Sequence, residues 1–267
     1  DSAQIEARTL AWLAGQDDLV EAFRNGEDVY KKAASMIYAV PVPEITKDQR
    51  FVGKVSILGL GYGMGAPKFR TTLALGAMGP PVHLPISLCK TTVNTYRKVN
   101  HMIPALWKEA EGVLKAMAAG MEGDWGILSY DAMTVWLPNG MGLHYPGLRA
   151  IWDSEKNRVS GYEYLANGHY KKIYGGLLVE NVVQALARII VSAQMLETQD
   201  YFDGLKLKAG EVARIASMSH DEIISVVPAR LAEKVLKKQI AIMRVAPGWA
   251  EGLPLNAEGG FAVNYSK

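Results

Sequence analysis

Two aspartates at opposite ends of the chain, Asp1 and Asp221, are the residues with the most direct chemical use. Each stands where a side chain projects from a rigid edge: Asp1 directly ahead of an expected helix, Asp221 at the bend between two expected strands. Moving a nucleotidyl group needs two divalent cations about 3.5–4 Å apart, one to activate the attacking hydroxyl and one to neutralise the leaving pyrophosphate. Such hard cations take oxygen ligands, and Mg²⁺ uses one or two carboxylates together with substrate phosphates. Two aspartates brought together from distant sequence are therefore the minimal signature. Taken singly, each is an ordinary helix cap or turn residue, as is Glu222.

A second constellation lies between them. Arg50, Lys54, Leu58 and Tyr62 recur every four residues, and at about 100° per residue they share one helical face. That face offers two cations, an apolar patch and a phenol, which suits a polyanion with a flat hydrophobic end, such as a nucleoside triphosphate. An isolated Arg/Lys pair at this spacing is otherwise a solvated face. Gly59, Gly61, Gly63 and Gly65 follow at alternate positions. They do not make a dinucleotide fingerprint, which needs G-x-G-x-x-G after a strand and opening a helix.

The elements that must position these residues read as follows. A helix is expected from Asp1, with Ile5, Leu10 and Leu13 on its apolar side and Gly15 as its stop. A short helix runs from Asp17 to near Gly26, and another from Asp28 until Pro41 and Pro43 end it. Thr46 with Gln49 forms a capping box for the Arg50 helix. Residues 66–92 read as loop-rich, and helices follow over 88–100 and 104–117. Asn139-Gly140 and Asn167-Gly168 signal hairpins between 134–137 and 141–145, and between 162–165 and 169–173. A long apolar helix covers 177–196. Strands at 212–219 and 223–227 flank His220-Asp221-Glu222, a helix then reaches about Arg244, and the tail reads as irregular.

At 267 residues, 49% hydrophobic and 21% charged, the chain can bury a real core. A net charge of +2 is too small to announce a nucleic-acid binder, so any basic surface must be local. The single cysteine, Cys89, leaves no internal disulfide and lies in an apolar run. No run of about 18 apolar residues stands out, so no membrane span is expected.

Together the three stretches resemble the family A (DNA polymerase I-like) DNA polymerases. Asp1-Ser-Ala-Gln-Ile-Glu6 resembles their first polymerase motif, Arg50-x3-Lys54-x7-Tyr62-Gly63 the second, and His220-Asp221-Glu222 the third. Ala11-Trp-Leu-Ala-Gly, the stretch from Tyr96 to Trp107, and Trp249-Ala-Glu-Gly-Leu-Pro-Leu-Asn-Ala-Glu-Gly also match, in a phrasing most like bacteriophage members.

The resemblance implies an α+β right-hand fold, with palm over 1–24 and 134–267 and fingers over 25–133. It implies that Asp1, Asp221 and the Ser2 carbonyl hold two Mg²⁺ ions, with Mn²⁺ as a possible substitute. Arg50 and Lys54 would meet the triphosphate, and Lys54 would also protonate the leaving pyrophosphate. Leu58 and Tyr62 would face sugar and base, Glu6 would exclude ribonucleotides, and Gln4 lies in the same site. Gln184, His220 and Glu222 fall on the primer/template side, where a minor-groove donor checks pair geometry without reading sequence. Ser2 and Ala3 stand where the family has tyrosine and serine, Leu58 where Phe or Tyr is common, and Tyr30 where a phosphate-binding histidine is frequent.

The implied partners are primer-template DNA, dNTP and an N-terminal polymerase segment supplying the thumb, the first palm strand and, where members carry one, the exonuclease. The expected setting is a bacterial host's cytoplasm. Two rivals are a single-subunit RNA polymerase, against which Glu6 argues, and a non-catalytic DNA-binding or assembly subunit, against which the joint presence of Asp1, Lys54 and Asp221 argues.

Overall fold

The structure, a computed structural model, describes residues 1–77 and 79–265. Its first four residues are not helical. Ser2 forms an antiparallel bridge with Ala257 and Gln4 takes a φ of 58°, so helix α1 (Ile5–Leu13) begins only afterwards. This corrects the expectation of a helix from Asp1. The cause is a tertiary partner: the extended Asp1–Ala3 backbone bonds to Asn256 and Glu258. The tail, read as irregular, thus supplies a strand-like partner, and Ala257 is fully buried. α1 stops where expected, as Gly15 turns left-handed and Gln16 N–H reaches the Ala11 carbonyl at 2.9 Å.

Helices α2 (Asp17–Arg24) and α3 (Val29–Tyr38) follow, the latter capped by Asp28, which accepts from Lys31 N–H at 3.0 Å. Helix α4 (Lys47–Leu60) starts in the expected capping box: Thr46 Oγ1 accepts from Gln49 N–H at 3.2 Å, and Gln49 Oε1 accepts from Thr46 N–H at 3.0 Å. The loop-rich reading of 66–92 is corrected by helix α5 (Ala66–Ala74). Pro67 occupies its first turn, where no N–H is required, and Phe69 and Leu73 are buried one turn apart. Helices α6 (Ile86–Val99), with Cys89 fully buried, and α7 (Met102–Ala118) complete the helical half.

Strands β1 (Gly123–Trp125), β2 (Leu128–Tyr130), β3 (Thr134–Trp136) and β4 (Gly142–His144) form an antiparallel meander. β1 and β2 escaped the sequence because three residues carry too little alternation. A second antiparallel sheet holds β5 (Arg149–Asp153), β6 (Arg158–Ala166) and β7 (His169–Ile173). Asn167 (φ 53°) and Gly168 (φ 78°) join β6 to β7 with the two positive angles that a type I′ turn requires. Helix α8 (Gly175–Asp203) is long and apolar enough to cross a bilayer by length and composition alone. Leu178, Val179, Val182, Val183 and Leu186 are nevertheless fully buried in protein, while Gln184 and Arg188 are exposed. Strands β8 (Arg214–Ser219) and β9 (Glu222–Val226) form a hairpin, and helix α9 (Ala232–Met243) follows.

Two compact units result: Leu10–Val183, and Asp1–Thr9 with Gln184–Lys267. In the first, α3 lies so close to α4 that a Cβ on Gly53 would stand 2.1 Å from the Tyr30 carbonyl oxygen. Both atoms belong to backbone, so neither can swing away. Gly53→Ala is expected to cost about 2–3 kcal/mol, a fall in melting temperature of roughly 5–10 °C. An unchanged melting curve would contradict this packing. In the second unit, α9 supports the hairpin through Gln239, whose Nε2 donates to the Ile223 carbonyl at 2.8 Å and whose Oε1 accepts from Ser225 Oγ at 2.9 Å.

Candidate active site

The Ser2 N–H donates to the main-chain carbonyl of Asp221 at 3.0 Å, so Asp1 and Asp221 stand on adjacent backbone segments. On its other side the same segment is held by Ala3 N–H to the Asn256 carbonyl (2.9 Å) and Glu258 N–H to the Asp1 carbonyl (3.0 Å). In an antiparallel pair of this kind, Ser2 exchanges no hydrogen bond with Ala257, and its own N–H and carbonyl both turn the opposite way. The Ser2 carbonyl therefore faces the side on which Asp221 lies.

Arg8 locks this arrangement. Its side chain is 4% exposed, with Nε donating to the Ala3 carbonyl and Nη1 to the Pro254 carbonyl, each at 2.8 Å. A buried guanidinium survives only with such partners. Sequence reading passed over Arg8; the available signal was a cation three residues after Ile5 on an otherwise apolar helix side.

Asp221 projects from a two-residue loop, since Ser219 pairs with Glu222. Of the loop residues only His220 has positive φ, 53°, a position where hairpins of type II′ favour glycine. Arg188, also missed, sends Nη1 to the His220 carbonyl at 3.4 Å, and Gln184 lies one turn earlier on the same exposed side of α8. Glu222 is the first residue of β9 rather than part of the bend, and its Oε2 accepts from Tyr265 OH at 2.9 Å. Gln4 and Glu6, both half-buried, bracket the start of α1.

The donor set at this pair is oxygen only: two carboxylates and a carbonyl. Among the described residues no group of three or more His, Cys, Asp or Glu side chains is assembled for a metal. The set fits a hard dication that completes its shell with water and phosphate, and does not fit metals that select thiolate or imidazole.

In the other unit, α4 is buried along most of its surface. Val52, Gly53, Val55, Ser56, Ile57, Gly59 and Leu60 are covered, whereas Arg50, Lys54 and Leu58 stay half-exposed on the expected stripe. Tyr62 is half-exposed too, but in the turn beyond the helix end. That turn is held by side chains from three places. Trp107 Nε1 donates to the Gly61 carbonyl at 2.8 Å, Tyr174 OH to the Tyr62 carbonyl at 3.4 Å, and Arg97 Nη2 to the Gly63 and Met64 carbonyls at 3.5 Å. These donors satisfy carbonyls that a helix end leaves open.

Arg50 and Lys54 differ in their surroundings. Lys54 has no ion pair among the described residues. Arg50 Nε donates to Asp28 Oδ2 at 2.6 Å, and its guanidinium carbon lies 5.2 Å from the Tyr30 ring centroid, leaving the terminal nitrogens for a ligand. Tyr30 is 5% exposed, and its ring packs beneath Arg50. Gly53, by admitting α3 so closely, is what brings Tyr30 and Asp28 to Arg50.

Burial alone would raise the Asp28 carboxyl, but the Arg50 hydrogen bond, the Lys31 N–H and the charges of both residues outweigh it and hold the group below 3.8. Stabilisation from a depressed acid is complete above its unfolded pKa and disappears as pH falls through the folded one. Asp28→Asn should therefore lower the melting temperature near neutrality and converge with the unsubstituted protein once the pH falls below the ordinary carboxylate range. Thermal melts across that range check it, and parallel curves would exclude the ion pair.

Residues 1–112 match the model of DNA polymerase family A. Over the whole chain, 31% of 283 aligned positions are identical to the DNA polymerase of Bacillus phage SP02, of which the chain spans 40%. A segment of 66 residues, 25% of the chain, is 42% identical to DNA polymerase I of Mycobacterium bovis, covering 7% of that protein. Among solved structures, the POL domain of Pol1 from M. smegmatis in complex with DNA primer-template and dNTP superimposes with a TM-score of 0.65 at 20% identity, over 96% of this chain and 37% of that one. The mixture of helices and antiparallel sheets expected from the sequence is that polymerase-domain fold. With its first motif segment paired to its third, and aligned over its whole length with a phage DNA polymerase, the chain is similar to the DNA polymerases of family A.

Proposed function

We propose that this chain carries out template-directed DNA synthesis, adding a deoxynucleoside monophosphate from dNTP to a primer 3′-OH, together with the upstream polymerase region that its longer relatives contain. The observation that supports the proposal is the Ser2–Asp221 backbone contact, which puts Asp1 and Asp221 on adjacent backbone segments. Asp1, Asp221 and the Ser2 carbonyl would hold the metal. When bound, two Mg²⁺ ions, or Mn²⁺ in their stead, would supply Lewis acidity for the 3′-OH and the leaving pyrophosphate.

The chain's own residues do the rest. Lys54 binds the triphosphate and gives a proton to the departing pyrophosphate, and Arg50 adds its terminal nitrogens. Leu58 and Tyr62 line the sugar and base, while Glu6 crowds the 2′ position beside Gln4. Gln184, His220 and Glu222 meet primer and template, with Arg188 steadying His220. In these terms 1–24 and 134–267 are palm, and 25–133 fingers.

The test is primer extension by the protein at its full natural length, with dNTP or rNTP, in Mg²⁺ and after chelation. Addition of dNTP that stops on chelation is expected. Preference for rNTP would transfer the chain to the RNA polymerases, and DNA binding without any addition would make it an assembly subunit. Equal activity from the 267 residues alone would refute the need for an upstream region.

A further inference from the structure

The β5–β7 sheet has no part in the activity just proposed. The stretch from Gly147 to Tyr174 holds five lysines and arginines against three carboxylates. Two of those carboxylates are neutralised within the sheet, Glu163 by Arg149 at 2.8 Å and Asp153 by Lys156 at 3.2 Å. Lys172, Lys171 and Arg158 have no carboxylate partner among the described residues. Strand register puts Arg149, Glu163, Leu165, Tyr170 and Lys172 on one face, opposite the buried Tyr162 and Ile173. On that outer face the Arg149 guanidinium carbon lies 3.7 Å from the Tyr170 ring centroid. Tyr170 and Leu165 remain 43% and 40% exposed.

Lysines on an edge strand such as β7 ordinarily guard against strand addition. Exposed apolar and aromatic surface beside them works against such a guard. It is instead the combination that holds single-stranded nucleic acid: rings for bases, cations for phosphates. The sheet is also joined to the turn that carries Tyr62. β7 leads directly into Tyr174, whose hydroxyl donates to the Tyr62 carbonyl, and into Gly176, where a Cβ would stand 2.7 Å from that carbonyl.

Resting on the polymerase assignment, we propose that the outer face of β5–β7 binds the single-stranded template ahead of the position being copied. Bases stack on the Tyr170–Arg149 platform and Leu165, and Lys172 takes a phosphate. The test uses the full-length protein and fluorescent primer-templates with either a one-nucleotide or a long, roughly 12-nucleotide, 5′ template overhang. The double variant Tyr170→Ala/Lys172→Ala should lose about tenfold in affinity for the long overhang. Its affinity for the short one, its rate of adding one nucleotide there and its melting temperature should stay unchanged. Tyr170→Phe, which keeps the ring, should restore most of the loss. Equal weakening on both substrates, or none on either, would overturn the proposal. A wild-type protein that favours the long overhang but adds no nucleotide would support this surface and refute the polymerase assignment.

Discussion

Asp221→Asn is expected to slow nucleotide addition by about a thousandfold or more at saturating dNTP and Mg²⁺, a loss of roughly 4 kcal/mol of transition-state stabilisation. The amide keeps the size of the carboxylate and removes its charge, so the effect should fall on metal binding rather than on folding. The contact that joins the two segments runs from Ser2 N–H to the Asp221 main-chain carbonyl, which the substitution leaves in place. Melting temperature and primer-template affinity should therefore hold while single-turnover addition collapses. Near-normal extension by this variant would remove Asp221 from the chemistry and with it the assignment of the aspartate pair.

Lys54→Ala should cost about a hundredfold to a thousandfold in addition rate, the range seen when one charge-stabilising group is taken from a transition state. Lys54 stands half-exposed on the open stripe of α4 without an ion pair among the described residues, so its removal strands no buried carboxylate. Stability should not change. Arg50→Ala provides the contrast, because it also takes the hydrogen bond from Asp28 and the cation from above the Tyr30 ring. That variant should lose both stability and dNTP affinity. If single-turnover assays show Lys54→Ala within a few-fold of the unsubstituted rate, the stripe is a solvated face and not a triphosphate site.

The short-range features were legible in advance. The Thr46–Gln49 capping box, the Gly15 stop, the Asn167-Gly168 turn and the stripe on α4 depend on neighbours within a few residues, and all four are present. Leu58 needed no tertiary knowledge to be placed on the open side of its helix. Misreadings fell where a partner is remote. Asp1–Ala3 looked like the start of a helix, but Asn256–Glu258 claims its backbone. Arg8 and Arg188 drew no notice because their acceptors, the carbonyls of Pro254 and His220, lie far off in sequence and carry no side-chain signature.

Sequence alone determined which acidic and basic residues the chain carries, in what order, and which helix face would carry the cations. Those follow from local propensity and from a period of 3.6 residues per turn. Only the tertiary structure decided that the segments of Asp1 and Asp221 lie side by side, through a backbone hydrogen bond from Ser2 to Asp221, and that buried Arg8 fastens one of them. Chain connectivity says nothing about which distant strands pair. That choice is made by burial and by the need of every backbone donor and acceptor for a partner.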